Sequence, residues 1–298
     1  MSTALTHQTA QTRRPTQGNT MTTTTQPIDV TPGTDPGTDP AATDFHPELA
    51  QVGAVPFTRL LRVELRKLVD TRGGRGVLGA IVLFTAVAMG ATMWVTRESG
   101  AGLIPLLMAA STPQAILLPV LGIMTAANEW SQRTALITFS QEPRRLRVVA
   151  AKAAAAVLLG LAVLAVTILL AVLGHVASMS LAGGSVEIGI TAALLTNLAS
   201  LQTQSVLMGV AFGALLLNVP IAIVAFFVAP VIVNLVFLAN SWLAEHAAWL
   251  ETGTSGMALL TNEWVGGEQW ARFGSATALW VLLPLAIGCW RVVRKEVK

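Results

Sequence analysis

From Gly76 to Trp290 the chain alternates long apolar runs, nearly free of charge, with short charged or glycine-bearing stretches. Runs of about 20 apolar residues match the thickness of a hydrocarbon core, so the rhythm predicts membrane-spanning helices. Five apolar blocks are separated by charge, and the fourth is too long for one crossing. It runs from Ile188 to Ala244 without a charged residue; as a single helix it would extend about 85 Å. Leu217-Asn218-Val219-Pro220 supplies the break, because proline cannot continue the hydrogen-bond ladder and disfavours helix in the residue before it. Six spans result, at about 76–95, 103–127, 153–174, 189–217, 220–243 and 273–290.

Ahead of the spans the period changes. Phe57, Leu60, Leu61, Leu65 and Leu68 fall on one face of a helix over 56–72, and Arg59, Arg62 and Arg66 on the other, with Glu64 intruding near the apolar face. An apolar face with a basic back suits a helix lying in the membrane interface. A plain extension of the first span fits the same pattern, and Gly73, Gly74 and Gly76 argue for a break between the two. Residues 1–55 are rich in Thr, Pro, Gly and Asp and include the tandem PGTDPGTDP, too little apolar surface to offset the entropy of ordering; a disordered tail is expected. No apolar run follows Arg13 and Arg14, so it does not read as a signal peptide, and Met21 offers a second possible start.

Composition agrees with a membrane domain over 73–298: 53% of residues are hydrophobic and only 12% charged, about half the charge of a soluble protein. The fold class expected is therefore an all-α polytopic membrane protein. A single cysteine, Cys289, excludes an intramolecular disulfide. Placement of Lys and Arg gives the orientation. Fifteen lie in 59–75, in the loop holding Arg133 to Lys152 and after Trp290, against Arg97 and Arg272 on the other side. By the positive-inside rule both termini and the central loop are cytoplasmic. The long outer stretch of about 245–272 carries Trp249, Trp264 and Trp270 and is expected at the outer membrane surface.

Enzyme signatures are absent. There is no GxxxxGK[ST] loop for nucleotide and no HExxH, and His7, His46, His175 and His246 are scattered, the last two read as solvated residues near outer span ends. No Asp or Glu falls inside a span, which speaks against a proton-coupled carrier. Neutral polar residues do: Gln114 beside Pro113, Asn197, Gln202 and Gln204 in the fourth span, and Asn234 beyond Pro230. Gln114, Asn197, Gln202 and Asn234 would line a path for an amphipathic substrate, or simply bond helix to helix. Pro105, Pro113 and Pro119 make the second span the candidate kinked element.

The most informative loop is Asn128–Lys152. Glu129 and Arg133 are four apart and would share a helix face, while Arg144, Arg145 and Arg147 would hold phosphates or the acidic groups of a partner. A helix containing Glu64-Leu65-Arg66-Lys67, two spans, a loop running from Asn128-Glu129 through Arg133-Thr134 to Pro143-Arg144-Arg145, Lys152 opening the third span, and Gly209-Val-Ala-Phe-Gly213 closing the fourth: this order resembles the membrane subunit of type 2 ATP-binding-cassette (ABC) exporters over about 57–298. The resemblance implies a permease paired with a second permease half, the same or different, and with two copies of a cytosolic ATPase carrying ATP and Mg. The central loop would be its coupling element, with Glu129, Arg133, Pro143, Arg144 and Arg145 as coupling residues. The chain itself would be no enzyme, bind no cofactor or nucleic acid, and sit in the cell membrane among lipids. The second and fifth spans would border the path, the first and fifth would meet the other half, and the Trp-bearing stretch would be the outer re-entrant element. A different class also fits: a membrane anchor or sensor that recruits a cytosolic partner without transport.

Overall fold

Residues 55–296 are described by the computed structural model; the tail expected to be disordered, Val55 apart, and the choice between Met1 and Met21 lie outside them. Among the described residues the chain is all-helical. It comprises α1 (Phe57–Asp70), α2 (Arg72–Val95), α3 (Leu103–Ser131), α4 (Ala135–Gln141), α5 (Arg145–Ala182), α6 (Ala192–Leu216), α7 (Val219–Ala239), the short α8 (Ser241–Glu245), α9 (Ala247–Leu250) and α10 (Thr252–Met257), and α11 (Gly267–Arg294). Six of these, α2, α3, α5, α6, α7 and α11, are long and apolar enough to span a membrane. The protein is a multi-pass membrane protein.

Glycine makes the α1–α2 corner, though not as the expected break. The chain turns at Thr71, whose hydroxyl accepts from the Gly74 amide and caps α2, so all three glycines lie inside that helix. Gly74 is buried where a side chain would meet the Leu68 carbonyl carbon at 2.9 Å. Between α6 and α7 the break falls where proline requires. Leu217 ends α6 in the left-handed conformation (φ 52°), and the Asn218 side chain accepts from the Ile221 amide to start α7. The third span is longer than its apolar stretch: 38 residues, not the 22 of 153–174. Helix propagates through Arg145, Arg147 and Lys152 because those side chains cost nothing outside the hydrocarbon, where hydropathy loses the helix.

Successive spans run in opposite directions, and α6 sits at the centre. Gly209 and Gly213 of α6, four residues apart, meet Pro119 and Ile123 of α3, and Gly122 of α3 faces Val206 and Val210. Small residues at this spacing let two backbones touch, the usual device where hydrocarbon solvates both helices and burial alone drives nothing. Phe212 of α6 then stacks on Trp280 of α11 and meets Phe226 of α7 edge-on. By contrast α2 and α7 turn most of their surface outward, with Val82, Phe84, Val224, Val228, Ile232 and Leu235 exposed. At Ala278–Leu282 α11 relaxes into a π-helical turn, placing the Trp280 indole N–H on the Leu250 carbonyl at 2.8 Å.

Candidate functional site

The basic end of the bundle gathers α1, the end of α3, α4, the start of α5 and the end of α11. Glu64, the residue that broke the apolar pattern of α1, is buried at 2% exposure and is an organising group. Its two oxygens accept from Lys67 Nζ (2.7 Å) and Lys152 Nζ (2.9 Å). Glu129 Oε1 accepts from the same two ammonium groups at 2.8 and 3.0 Å. Two carboxylates and two lysines thus close a neutral ring joining α1, α3 and α5, in which each charge meets both opposite charges. Partial burial works against the charge on Lys67, but Glu64 and Glu129 outweigh it and hold its pKa above the ordinary lysine value. Beneath α4 the ring opens onto a cavity of about 280 Å3, also lined by Thr71, Asn128 and Thr138.

Helix α4 lies over this ring with two different faces. Ala135 is buried, and Phe139 packs beside Trp130 and against the Leu60, Val148 and Ala151 cluster. Leu136 and Ile137 are 56% and 61% exposed, Ile137 also at the edge of the cavity. Arg133, Pro143 and Arg144 flank them and are exposed, and among the described residues neither guanidinium forms an ion pair.

Two expectations for the loop need correction. Glu129 and Arg133 do not share a helix face: α3 ends at Ser131, and Arg133 turns the chain in the left-handed region at φ 58°, its amide held by the Trp130 carbonyl. Arg145 and Arg147 are both engaged within the chain. Arg145 Nη1 donates to the carbonyls of Val292 (2.8 Å), Val293 (3.2 Å) and Lys295 (2.7 Å), satisfying the last turn of α11. Arg147 pairs with Glu142 at 2.9 Å and donates to the Val55 carbonyl.

The four candidate path residues fall in three places. Gln114 and Gln202 come together in a polar layer within the bundle. Gln114 donates to Thr167 at 2.8 Å, and Gln202 donates to Gln114 Oε1 at 3.2 Å and to the Gly160 carbonyl at 3.3 Å. Both line a cavity of about 350 Å3 between α3, α5, α6 and α7, to which Thr252, Gly253, Gly256, Met257 and Leu260 also contribute. Asn197 is elsewhere and fully buried. Its amide donates to the carbonyls of Thr261 and Glu263, tying the connection before α11 to α6. Asn234 is exposed on α7, 3.4 Å from Glu251. His175 corrects the reading of a solvated histidine: it is buried, with Nδ1 at 2.8 Å from the Ala101 carbonyl and Nε2 at 3.1 Å from that of Glu187.

Glu64 and Gln204 were the residues that sequence reasoning undervalued. For Glu64 the signal was there, a carboxylate on an apolar face three residues before a lysine; its ring partners on α3 and α5 are far away in sequence. Among the described residues no group of three or more His, Cys, Asp and Glu could hold a metal. No known family matches the sequence of this chain, and neither does any curated protein.

Proposed function

We propose that this multi-pass protein is the permease subunit of an ATP-driven exporter of the type 2 ABC kind, moving an amphipathic or hydrophobic substrate with power from a separate cytosolic ATPase. The observation that carries the reading is α4: a short helix between the second and third spans, its apolar face outward and basic residues at its rim, seated on a charge ring that reaches three other helices. Exposed leucine and isoleucine in a charged rim are the makings of a protein contact rather than of a solvated loop. The basic end would face the cytoplasm, with α1 in the interface of the cell membrane. ATP and Mg would be held by the two copies of the partner. Displacement of α4 would be passed through Glu129 and Lys152 to α3 and α5. The outward faces of α2 and α7 suit a second permease half.

The test is a detergent pull-down of the tagged chain from its native membranes, with ATP hydrolysis assayed on what co-purifies. A nucleotide-binding subunit is expected, and Leu136→Asp with Ile137→Asp is expected to abolish its recovery while the protein stays inserted. Intact protein that reproducibly brings down a non-ATPase instead would favour the anchor reading.

A further inference from the structure

The polar layer inside the bundle has a direction. Thr167 donates its hydroxyl hydrogen to the Val163 carbonyl, so toward Gln114 it can only accept, and the Gln114 amide nitrogen must face it. Gln114 Oε1 therefore points to Gln202. The Gln202 nitrogen is fixed in turn, because it meets Gln114 Oε1 and the Gly160 carbonyl, both acceptors. Gln204, also on α6, follows the same logic with a threonine of α11. Thr277 donates to the Phe273 carbonyl at 2.6 Å and accepts from the Gln204 nitrogen at 2.7 Å. Each amide has one permitted orientation, and those of Gln202 and Gln204 leave an oxygen over. Among the described residues Gln202 Oε1 and Gln204 Oε1 have no donor, and neither is sealed within the protein. Both residues line the 350 Å3 cavity, whose other walls include Met208, Phe226 and Pro230 and whose lining holds no ionisable side chain.

We infer that this cavity is a binding site for an uncharged amphipathic molecule whose polar end carries N–H or O–H donors. Either glutamine oxygen takes a donor and the apolar wall takes the hydrocarbon. A volume of this size falls in the range of small-molecule sites. A charged head group would find no counter-charge there, and a head group offering acceptors alone would leave both glutamine oxygens without a donor. As a cargo site the cavity deepens the exporter reading. Binding itself is measured on the isolated chain without any ATPase, so failure of either idea leaves the other standing.

The experiment uses the full chain in lipid nanodiscs, with empty nanodiscs to subtract partition, and three probes that share a ten-carbon chain: decanamide, methyl decanoate and decyltrimethylammonium. Saturable binding of decanamide is expected, with the ester and the cation about tenfold weaker. Gln202→Met and Gln204→Met, checked for unchanged melting, should reduce the preference for decanamide over the ester severalfold. Absence of saturable decanamide binding, or equal binding of decanamide and ester by the unmodified chain, overturns the proposal, as does a preference that survives both substitutions together.

Discussion

Replacing Lys152 with methionine leaves Glu64 and Glu129 facing a single ammonium. Lys152 is 7% exposed on its side chain and Glu64 2%, whereas Lys67, the remaining cation, is 41% exposed. Removing one member of a buried ion pair costs roughly 3 to 5 kcal/mol, chiefly because the survivor is left uncompensated. Removing Lys67 should cost far less, about 1 kcal/mol, since water can replace a partly exposed partner. For a chain of this size that separates the variants by on the order of 10 °C in melting temperature. The assay is thermal melting of the purified protein in a neutral detergent, followed by size-exclusion recovery. Lys152→Met combined with Glu64→Leu should recover much of the loss, because that change removes a cation and an anion together and leaves Lys67 with Glu129. If Lys152→Met melts no lower than Lys67→Met, or if the double variant is no better than the single, the ring is not a coupled unit.

Two further outcomes follow from the packing and the termini. Gly209→Ala places a carbon 2.7 Å from Pro119 Cα and closer still to its carbonyl, so α3 and α6 must part; melting should fall by the equivalent of about 1 to 3 kcal/mol, while Gly79→Ala, which meets open space, should be neutral or slightly stabilising. Equal melting of the two variants would refute the close helix contact. Arg145→Met should raise amide exchange at 291–295 about tenfold with little change elsewhere, because three carbonyls lose their donor; unchanged exchange there would return Arg145 to the role of a partner contact.

What the sequence made legible was whatever hydrocarbon and proline dictate. Six apolar helices and the break before Pro220 follow from transfer energy and from a missing amide, which are local properties. Helix ends outside the hydrocarbon were less legible, as α5 demonstrates, since nothing in hydropathy marks where a helix stops once it reaches water. The side-chain partners at the basic end were least legible. The four-residue spacing of Glu129 and Arg133 implied a shared face only if the helix continued, and an arginine in the left-handed region gives no warning in composition. Arg144 and Arg145 are adjacent and chemically alike, yet one is exposed and the other closes a helix nearly 150 residues away. Gln114 and Gln202 were legible as polar residues in an apolar field, though not which way their amides point, because that is decided by threonine hydroxyls and carbonyls on other helices.

The long α5 and the twice proline-bearing α3 are fastened to each other at both ends. At one end Lys152 holds Glu129, and at the other His175 and Ser178 hold the carbonyl and the amide of Ala101, just ahead of α3. Between those anchor points α5 contains no proline and rises about 40 Å without interruption, while α3 carries Pro113 and Pro119 near the middle of its course. The pair has the form of a strung bow, with α5 as the stave and α3 as the string. A string pinned at both ends can move only sideways, and only at its middle. Its middle is held as well, by the Gln114 hydrogen bond to Thr167 of α5, so any sideways flexing of α3 strains that bond in the wall of the cavity.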